Sequence, residues 1–246
     1  MLKLNLRRGE SAFRFGPPSW STDLGDPIDF STARQMLDCA RVLVLVHGYN
    51  VADAFDAYAR IAAQVEDLYD VVVGLSWPGS EVELGYWFAE KRADKSGRLL
   101  TETFRDIPYE SLDVEGHSCG CRLALEAVKQ GLVVRNLILA GAAVDNETVH
   151  YDEKYGSGLT TSVGRCIIAY SREDEVLKRA FRLSSAIKRV FVLRPDDCKA
   201  LGYDGAEKPS LLPRNVSQYD MTDSIKSHSA YKKSPEFYRI WRKIAA

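Results

Sequence analysis

The chain lacks long apolar runs and an excess of one charge, and each absence excludes a class of protein. Its apolar stretches, such as residues 42–46, are short, whereas a membrane-spanning helix needs about 20 such residues. Among 246 residues, 33 Lys and Arg stand against 34 Asp and Glu, for a net charge of −1. Such a chain has no global field to attract nucleic acid or an anionic membrane. We therefore expect neither nucleic-acid binding nor a membrane span.

Cysteines are few and do not form a framework. There are five, an odd number, and their spacing does not suggest a set of disulfides. Cys119 and Cys121 are separated by one residue, but no second cysteine pair completes a zinc set, so we expect no metal site. The N-terminal sequence is alternating and charged and lacks the apolar core of a signal peptide. Together these features predict reduced thiols in a cytoplasmic protein.

The composition, and the lack of any linker or repeat, predict one domain over residues 1–246. The chain is 46% hydrophobic and 27% charged, the balance of an ordinary globular protein, and no repeat or linker divides it. Alternating segments at 2–6 and 12–15 predict that residues 1–40 form an N-terminal extension or an edge hairpin. Residues 79–108 are a long connection of the kind that can form a lid over a site. They contain three consecutive aromatic residues at 86–88, a pattern that more often indicates core packing.

From residue 41 onward, strand-like and helix-like segments alternate. Strands are predicted at 42–46, 71–76, 112–115, 137–140, 166–170 and 190–193, and helices at 53–68, 119–130, 175–186 and 235–244. This alternation predicts an α/β fold with a mostly parallel central sheet and helices on both faces. In such sheets ligands bind at the carboxyl ends of the strands. The functional residues are therefore expected in the loops that follow the strands.

The strongest chemical signal is a Gly-x-Ser-x-Gly sequence centred on Ser118, between a predicted strand and a predicted helix. The turn between the two elements is so tight that the residues two positions before and after the serine must be minimal. Gly116 and Gly120 satisfy that requirement. The helix N-terminus adds positive potential at the serine hydroxyl. We predict that Ser118 is a nucleophile, the alternative being an ordinary serine in a turn.

A second signal follows the predicted strand 42–46, where the chain reads His47-Gly48-Tyr49-Asn50. A serine nucleophile needs backbone N–H groups directed at the developing oxyanion. One is expected from Cys119, the residue after the nucleophile, and the other from a loop after an earlier strand. The N–H of Tyr49 is our candidate for the second donor. The alternative is an ordinary glycine-containing turn.

Four segments together resemble the α/β-hydrolases, and more narrowly an uncharacterised bacterial serine-esterase-like family. They are residues 42–50, the Ser-Trp-Pro at 76–78, the Gly-His-Ser-Cys-Gly turn at 116–120, here called the elbow, and the His-Ser-Ala-Tyr at 228–231. The resemblance extends from about residue 41 to about residue 231. Where that family often shows Trp-Pro-Ser, this chain has Gly79 after Pro78. The resemblance implies an α/β-hydrolase fold and a serine-esterase activity.

A nucleophilic serine needs a base, and the chain has four histidines. His47 lies in the predicted oxyanion loop, and His117 lies inside the elbow. His150 lies in a polar stretch and is interpreted as a surface histidine. His228 follows the last core strand, in keeping with the order serine, acid, histidine of this fold. We predict that His228 is the base, the alternative being a solvated loop residue.

The acid is expected at the end of a strand that precedes the histidine. Asp174 follows the predicted strand 166–170 and resembles the aspartate of the family's Ser-x-x-Asp. It could instead be only the N-cap of the next helix. Glu173 is a possible substitute, and Asp145, after the preceding strand, is the main alternative. Asp196 and Asp197 come one strand too late.

These residues predict a serine hydrolase that cleaves a small-molecule carboxylic ester through an acyl-enzyme. Ser118, Asp174 and His228 would form the catalytic triad. No cofactor is expected, because the nucleophile, base and acid all come from the protein. Two alternatives remain: an acyltransferase that uses the same triad, and a non-catalytic binding protein built on a hydrolase fold.

Overall fold

A computed structural model describes residues 1–8, 14–49, 54–79, 86–179 and 199–245, except the side chains at 86–88. Its strands form one nine-stranded sheet. In chain order they are β1 Leu2–Arg7, β2 Phe15–Thr22, β3 Pro27–Ile28, β4 Arg41–Val46, β5 Val71–Ser76, β6 Ser111–His117, β7 Val134–Ala140, β8 Val163–Tyr170 and β9 Val216–Asp220.

Helices lie between and after these strands. They are α1 Phe30–Leu37, α2 Phe55–Val65, α3 Tyr86–Phe104, α4 Cys119–Lys129, α5 Gly156–Ser162, α6 Leu201–Asp204 and α7 Pro235–Ala245. Residues 175–179 are also helical, and short 3₁₀ turns occupy Pro209–Leu211 and Ala230–Lys233. Within the described residues, no helix is both long enough and apolar enough to cross a membrane.

The sheet is mostly parallel, as predicted from the alternation of strands and helices. The strand order is β3-β2-β1-β5-β4-β6-β7-β8-β9. Among the strands of the described residues, the β1–β2 and β2–β3 pairs are antiparallel, and every pair from β1–β5 to β8–β9 is parallel. The carboxyl ends of β4, β6 and β8 therefore meet at one edge of the sheet, where the loops that carry the predicted site begin.

Each face of the sheet has its own hydrophobic core. In β4, Val42, Val44 and Val46 pack into the first core with α1, α3 and α4. Leu43 and Leu45 pack into the second core with α2 and α7. Because successive side chains of a strand point to opposite faces, a strand covered on both sides must be apolar throughout. The continuous apolar run of β4 has that cause.

Several elements differ from the sequence expectation. Strand β2 occupies Phe15–Thr22, whereas a strand was expected at 12–15, and β3, α5 and α6 were not predicted. Strand β9 was not predicted, since its sequence Val-Ser-Gln-Tyr-Asp at the sheet edge is polar and only partly buried. Helices α1 and α3 were not predicted either. The predicted strand 190–193, much of the predicted helix 175–186, and Asp196 and Asp197 lie outside the described residues.

The segment expected to form a lid contains α3. From Ala89 onward this helix buries Ala93, Leu100 and Phe104 in the first core. It crosses α4 so closely that a Cβ added at Gly97 would lie 2.7 Å from the backbone oxygen of Leu123. This part of the segment is therefore a core helix. Residues 80–85 and the side chains of the three aromatic residues lie outside the described part of the chain.

Candidate active site

Ser118 occupies a strained turn between β6 and α4. Its φ of 58° and ψ of −123° are unusual for a residue with a side chain, and such backbone conformations cost about 1–3 kcal/mol. The turn is held by the end of β7, the strand next to β6, and by the residues that follow it. The N–H of Ser118 donates to the oxygen of Ala140 at 3.0 Å, and its own C=O accepts from the N–H of Ala143 at 3.1 Å.

The two elbow glycines lie where no side chain fits. A Cβ added at Gly116 would lie 2.8 Å from the Cα of Cys121. One added at Gly120 would lie 2.6 Å from the backbone oxygen of His47. Both contacts are with backbone atoms that cannot give way cheaply. The tight strand-to-helix turn therefore requires glycine on both sides of Ser118, for the steric reason expected from the sequence.

The predicted oxyanion loop lies against Ser118. A Cβ added at Gly48 would come 2.9 Å from the Cβ of Ser118, so the loop backbone passes directly beside this side chain. Tyr49, the next residue, is partly buried and packs against the first core. Cys119 is the first residue of α4, and N–H groups in the first turn of a helix point out of its N-terminal end. Both predicted donors thus belong to backbone that adjoins Ser118.

Asp174 and His228 are in direct contact. Oδ2 of Asp174 lies 2.7 Å from Nδ1 of His228. The Asp174 side chain is completely buried, whereas that of His228 is 16% exposed. Oδ1 of Asp174 accepts the N–H of Leu177 at 3.0 Å. Asp174 therefore caps the helical segment 175–179 and contacts the histidine at the same time.

A buried serine links the loops that carry Asp174 and His228. Oγ of Ser171 donates to the backbone oxygen of Ile225 at 2.7 Å and accepts the N–H of Glu173 at 3.1 Å. Its own backbone N–H donates to the oxygen of Gly202. Ser171 corresponds to the first residue of the Ser-x-x-Asp pattern. Its bonds hold the acid loop at a fixed distance from the loop that leads to His228.

His117 connects the elbow to the predicted base. Its Nε2 lies 2.8 Å from the backbone oxygen of His228, and the centroids of the two rings are 4.7 Å apart. Burial, and then the neighbouring His228, hold the pKa of His117 well below its usual range. A neutral ring that faces a carbonyl oxygen must present an N–H, so Nε2 is the protonated nitrogen. The residue next to Ser118 therefore holds the backbone of His228.

The sequence that forms this arrangement of strand, elbow and loops also matches a known protein family. Residues 29–244 match the family described as alpha/beta hydrolase of unknown function (DUF900). The chain belongs to that family. No curated protein matches it. The α/β-hydrolase fold predicted from the sequence is thereby confirmed.

The solved structures that are similar to this α/β-hydrolase family member include the following three. An uncharacterized protein from Bacillus cereus ATCC 10987 is 13% identical, with a TM-score of 0.49; the match covers 84% of this chain and 58% of that protein. The esterase domain of a Rhodothermus marinus protein is 10% identical, with a TM-score of 0.48 and coverage of 92% and 96%. A type II thioesterase from the yersiniabactin NRPS/PKS biosynthetic pathway is 16% identical, with a TM-score of 0.40 and coverage of 83% and 91%.

One histidine of this family member lies in a different environment from the one expected. His150 is 3% exposed, and its Nε2 accepts the backbone N–H of Lys208 at 3.2 Å. The interpretation as a surface histidine was wrong. Polar sequence neighbours suggested exposure, but the chain that returns near residue 208 covers the ring. Of the other candidates for the acid, Asp145 forms an isolated antiparallel β-bridge with Ala200 through its backbone, and Glu173 is exposed.

Two buried charged residues near the site were not singled out as functional. Arg7, at the end of β1, is only 7% exposed, although adjacent arginines such as Arg7 and Arg8 usually lie on a solvated surface. Glu115, in β6, is 3% exposed, and burial raises its pKa to about 8. Both residues lie in register with the polar positions of their alternating strands, Arg7 with Lys3 and Asn5 and Glu115 with Asp113, so the local pattern carried no signal of their burial. Within the described residues, no three His, Cys, Asp or Glu side chains gather to form a metal site.

Proposed function

We propose that this family member is a serine hydrolase that cleaves a small-molecule carboxylic ester through an acyl-enzyme. The observation that carries the proposal is the 2.7 Å contact between Asp174 and His228. It supports the triad because the backbone oxygen of His228 also accepts a hydrogen bond from His117, the residue that adjoins the strained Ser118. An intact serine, histidine and aspartate favour an enzyme over a non-catalytic protein with the same fold.

The contact determines which nitrogen of His228 is available as a base. A carboxylate only accepts hydrogen bonds, so the proton between the two groups belongs to Nδ1 of His228. In the neutral ring, Nε2 then carries a lone pair. This is the tautomer that a serine protonated at Oγ requires. Asp174 would hold that tautomer and stabilise the imidazolium formed in the reaction.

The proposed reaction has two halves. Oγ of Ser118 attacks the ester carbonyl carbon while Nε2 of His228 takes its proton. The N–H groups of Tyr49 and Cys119 stabilise the tetrahedral oxyanion. The intermediate collapses as His228 delivers the proton to the leaving alcohol, and the acyl group stays on Ser118. Water then attacks the acyl-enzyme with the same base, which releases the carboxylic acid and the free serine.

Labelling and turnover together test this proposal. A panel of p-nitrophenyl esters of increasing acyl length is assayed with the wild type and with Ser118→Ala. A fluorophosphonate should add once to the wild type in intact-mass analysis, because a base-activated serine is unusually nucleophilic. Absence of an adduct on the folded wild type, or equal labelling of Ser118→Ala, would contradict the proposal.

An added alcohol separates hydrolysis from acyl transfer. A hydrolase gives mainly the free carboxylic acid, whereas an acyltransferase gives mainly a new ester in the presence of the acceptor. We expect the free carboxylic acid as the main product.

The odd cysteine count without framework spacing supports a cytoplasmic location for this activity.

A further inference from the structure

Arg7 links three strand ends at the edge of the sheet that carries the candidate site. It is the last residue of β1, and it lies outside the residues matched by the family. Its Nε donates to the backbone oxygen of Trp77 at 2.9 Å, directly after β5. Its Nη2 lies 3.3 Å from Nε2 of His47, directly after β4. A cation buried this deeply requires such partners.

The partners of His47 determine its tautomer. Both groups directed at its Nε2, the guanidinium of Arg7 and the backbone N–H of Trp77 at 3.4 Å, can only donate. Nε2 must therefore accept. Burial, and to a smaller extent Arg7, lower the pKa of His47 to about 3, so the ring is neutral. The single ring proton is then on Nδ1, which lies 2.7 Å from the oxygen of Gly48 and donates to it.

This bond orients the peptide that carries the predicted oxyanion donor. The C=O of Gly48 and the N–H of Tyr49 belong to one planar trans peptide group and point in opposite directions. Because Nδ1 of His47 holds the C=O on its own side, the N–H of Tyr49 faces away from His47. Gly48 itself adjoins Ser118, so the orientation of this peptide bears directly on the oxyanion site.

We propose that Arg7 is a positioning residue for the reaction, which acts through His47 to keep the N–H of Tyr49 directed at the oxyanion. The role rests on the proposed function. Without Arg7, His47 loses its strongest donor, and the tautomer with the proton on Nε2 becomes accessible. In that tautomer Nδ1 cannot donate to the Gly48 oxygen, and the peptide loses its fixed orientation.

Kinetics of Arg7→Met test the proposal, with Arg8→Met as the matched control because Arg8 is adjacent and exposed. Loss of a whole oxyanion donor costs about 10²–10³ in kcat. A donor that is present but no longer held should cost about 10-fold to 100-fold, with little change in KM, because the interaction is made in the transition state. Arg7→Lys, which keeps a donor, should recover part of the loss, and Arg8→Met should match the wild type. Equal losses in the Arg7 and Arg8 variants, or wild-type kcat in Arg7→Met, would overturn the proposal.

A double-mutant cycle with His47→Gln distinguishes this role from general stabilisation. If Arg7 acts through His47, adding Arg7→Met to His47→Gln should reduce kcat little further. Losses that simply multiply would show that Arg7 acts by another route and would overturn the proposal.

Nitrogen NMR of the histidine rings tests the structural step without any substrate. We expect His47 in the wild type to carry its proton on Nδ1, and Arg7→Met to populate the other tautomer. A wild-type ring protonated on Nε2 would refute the role of Arg7 even if esters are hydrolysed. Conversely, a wild type that neither hydrolyses esters nor labels at Ser118 refutes the proposed function, and the NMR result then decides separately whether Arg7 sets the tautomer of His47.

Discussion

The carboxylate of Asp174 is shared between His228 and the start of a helix. Oδ2 lies 2.7 Å from Nδ1 of His228, and Oδ1 accepts the N–H of Leu177. The sequence presented helix capping and catalysis as alternatives for this residue. The two roles use different oxygens and are compatible, so a substitution that keeps one oxygen can separate them.

Asp174→Asn is expected to reduce kcat by about 10⁴-fold while changing thermal stability little. The amide oxygen can still cap the helix. The amide nitrogen cannot accept a hydrogen bond from Nδ1 of His228 and favours the wrong tautomer of its ring, a change that lowers kcat by about 10⁴ in a serine triad. Ester turnover and thermal melting of the purified variant measure the two effects.

Asp145→Asn is the matched control for that substitution. It should turn over esters at close to the wild-type rate. If Asp145→Asn loses ester turnover and Asp174→Asn turns over at near the wild-type rate, the catalytic acid follows the earlier strand and the assignment of Asp174 is wrong.

His228→Ala is expected to lower kcat, whereas His150→Ala is expected to lower the melting temperature. Removal of the base should reduce kcat by several orders of magnitude, leaving only the contribution of the oxyanion hole and binding. His150 is buried and accepts the N–H of Lys208, so its removal should lower the melting temperature but leave kcat nearly unchanged. Parallel assays of turnover and melting distinguish the two histidines, and the reverse pattern would show that His228 is not the base.

His117→Leu should slow the reaction, whereas His117→Gln should restore much of the rate. Leucine removes the donor to the His228 backbone, and a hydrogen bond of this kind is worth about 1 kcal/mol, or several-fold in kcat. Glutamine retains an N–H donor. Measurement of kcat and KM for both variants tests this role, and identical losses in the two would attribute the effect to packing of the ring.

Glu115 should make the protein less stable as the pH rises. Burial raises its pKa to about 8 from an ordinary value of 4.5. Between those values the folded state holds a proton that the unfolded chain has lost, so the free energy of unfolding falls with increasing pH. Glu115→Gln removes this dependence and should melt several degrees higher than the wild type at pH 8.5, with the difference vanishing towards pH 4.5. Glu66→Gln, at an exposed position, should show no such pH-dependent difference; a Glu115→Gln curve parallel to the wild type would contradict the assignment.

Much of the fold could be predicted because its signals are local. A strand covered on both faces must be apolar, which made β4 and β5 recognisable. Strand β9 lies at the edge of the sheet and is only partly buried, so its polar sequence carries little such signal. Helix α3 is rich in charged residues and buries small side chains such as Ala93, a weak pattern for prediction.

The sequence by itself determined the elbow around Ser118, because the steric need for glycine two residues on either side is a property of the local turn. It also determined the alternation of strands and helices, since burial imposes a period on each segment separately. Only the tertiary structure decided that Asp174 contacts His228, that His150 is buried and that Arg7 reaches His47. These partners are distant in the chain: His228 comes 54 residues after Asp174, and His47 comes 40 residues after Arg7. Their contacts depend on strand order and loop paths, which no short stretch of sequence encodes.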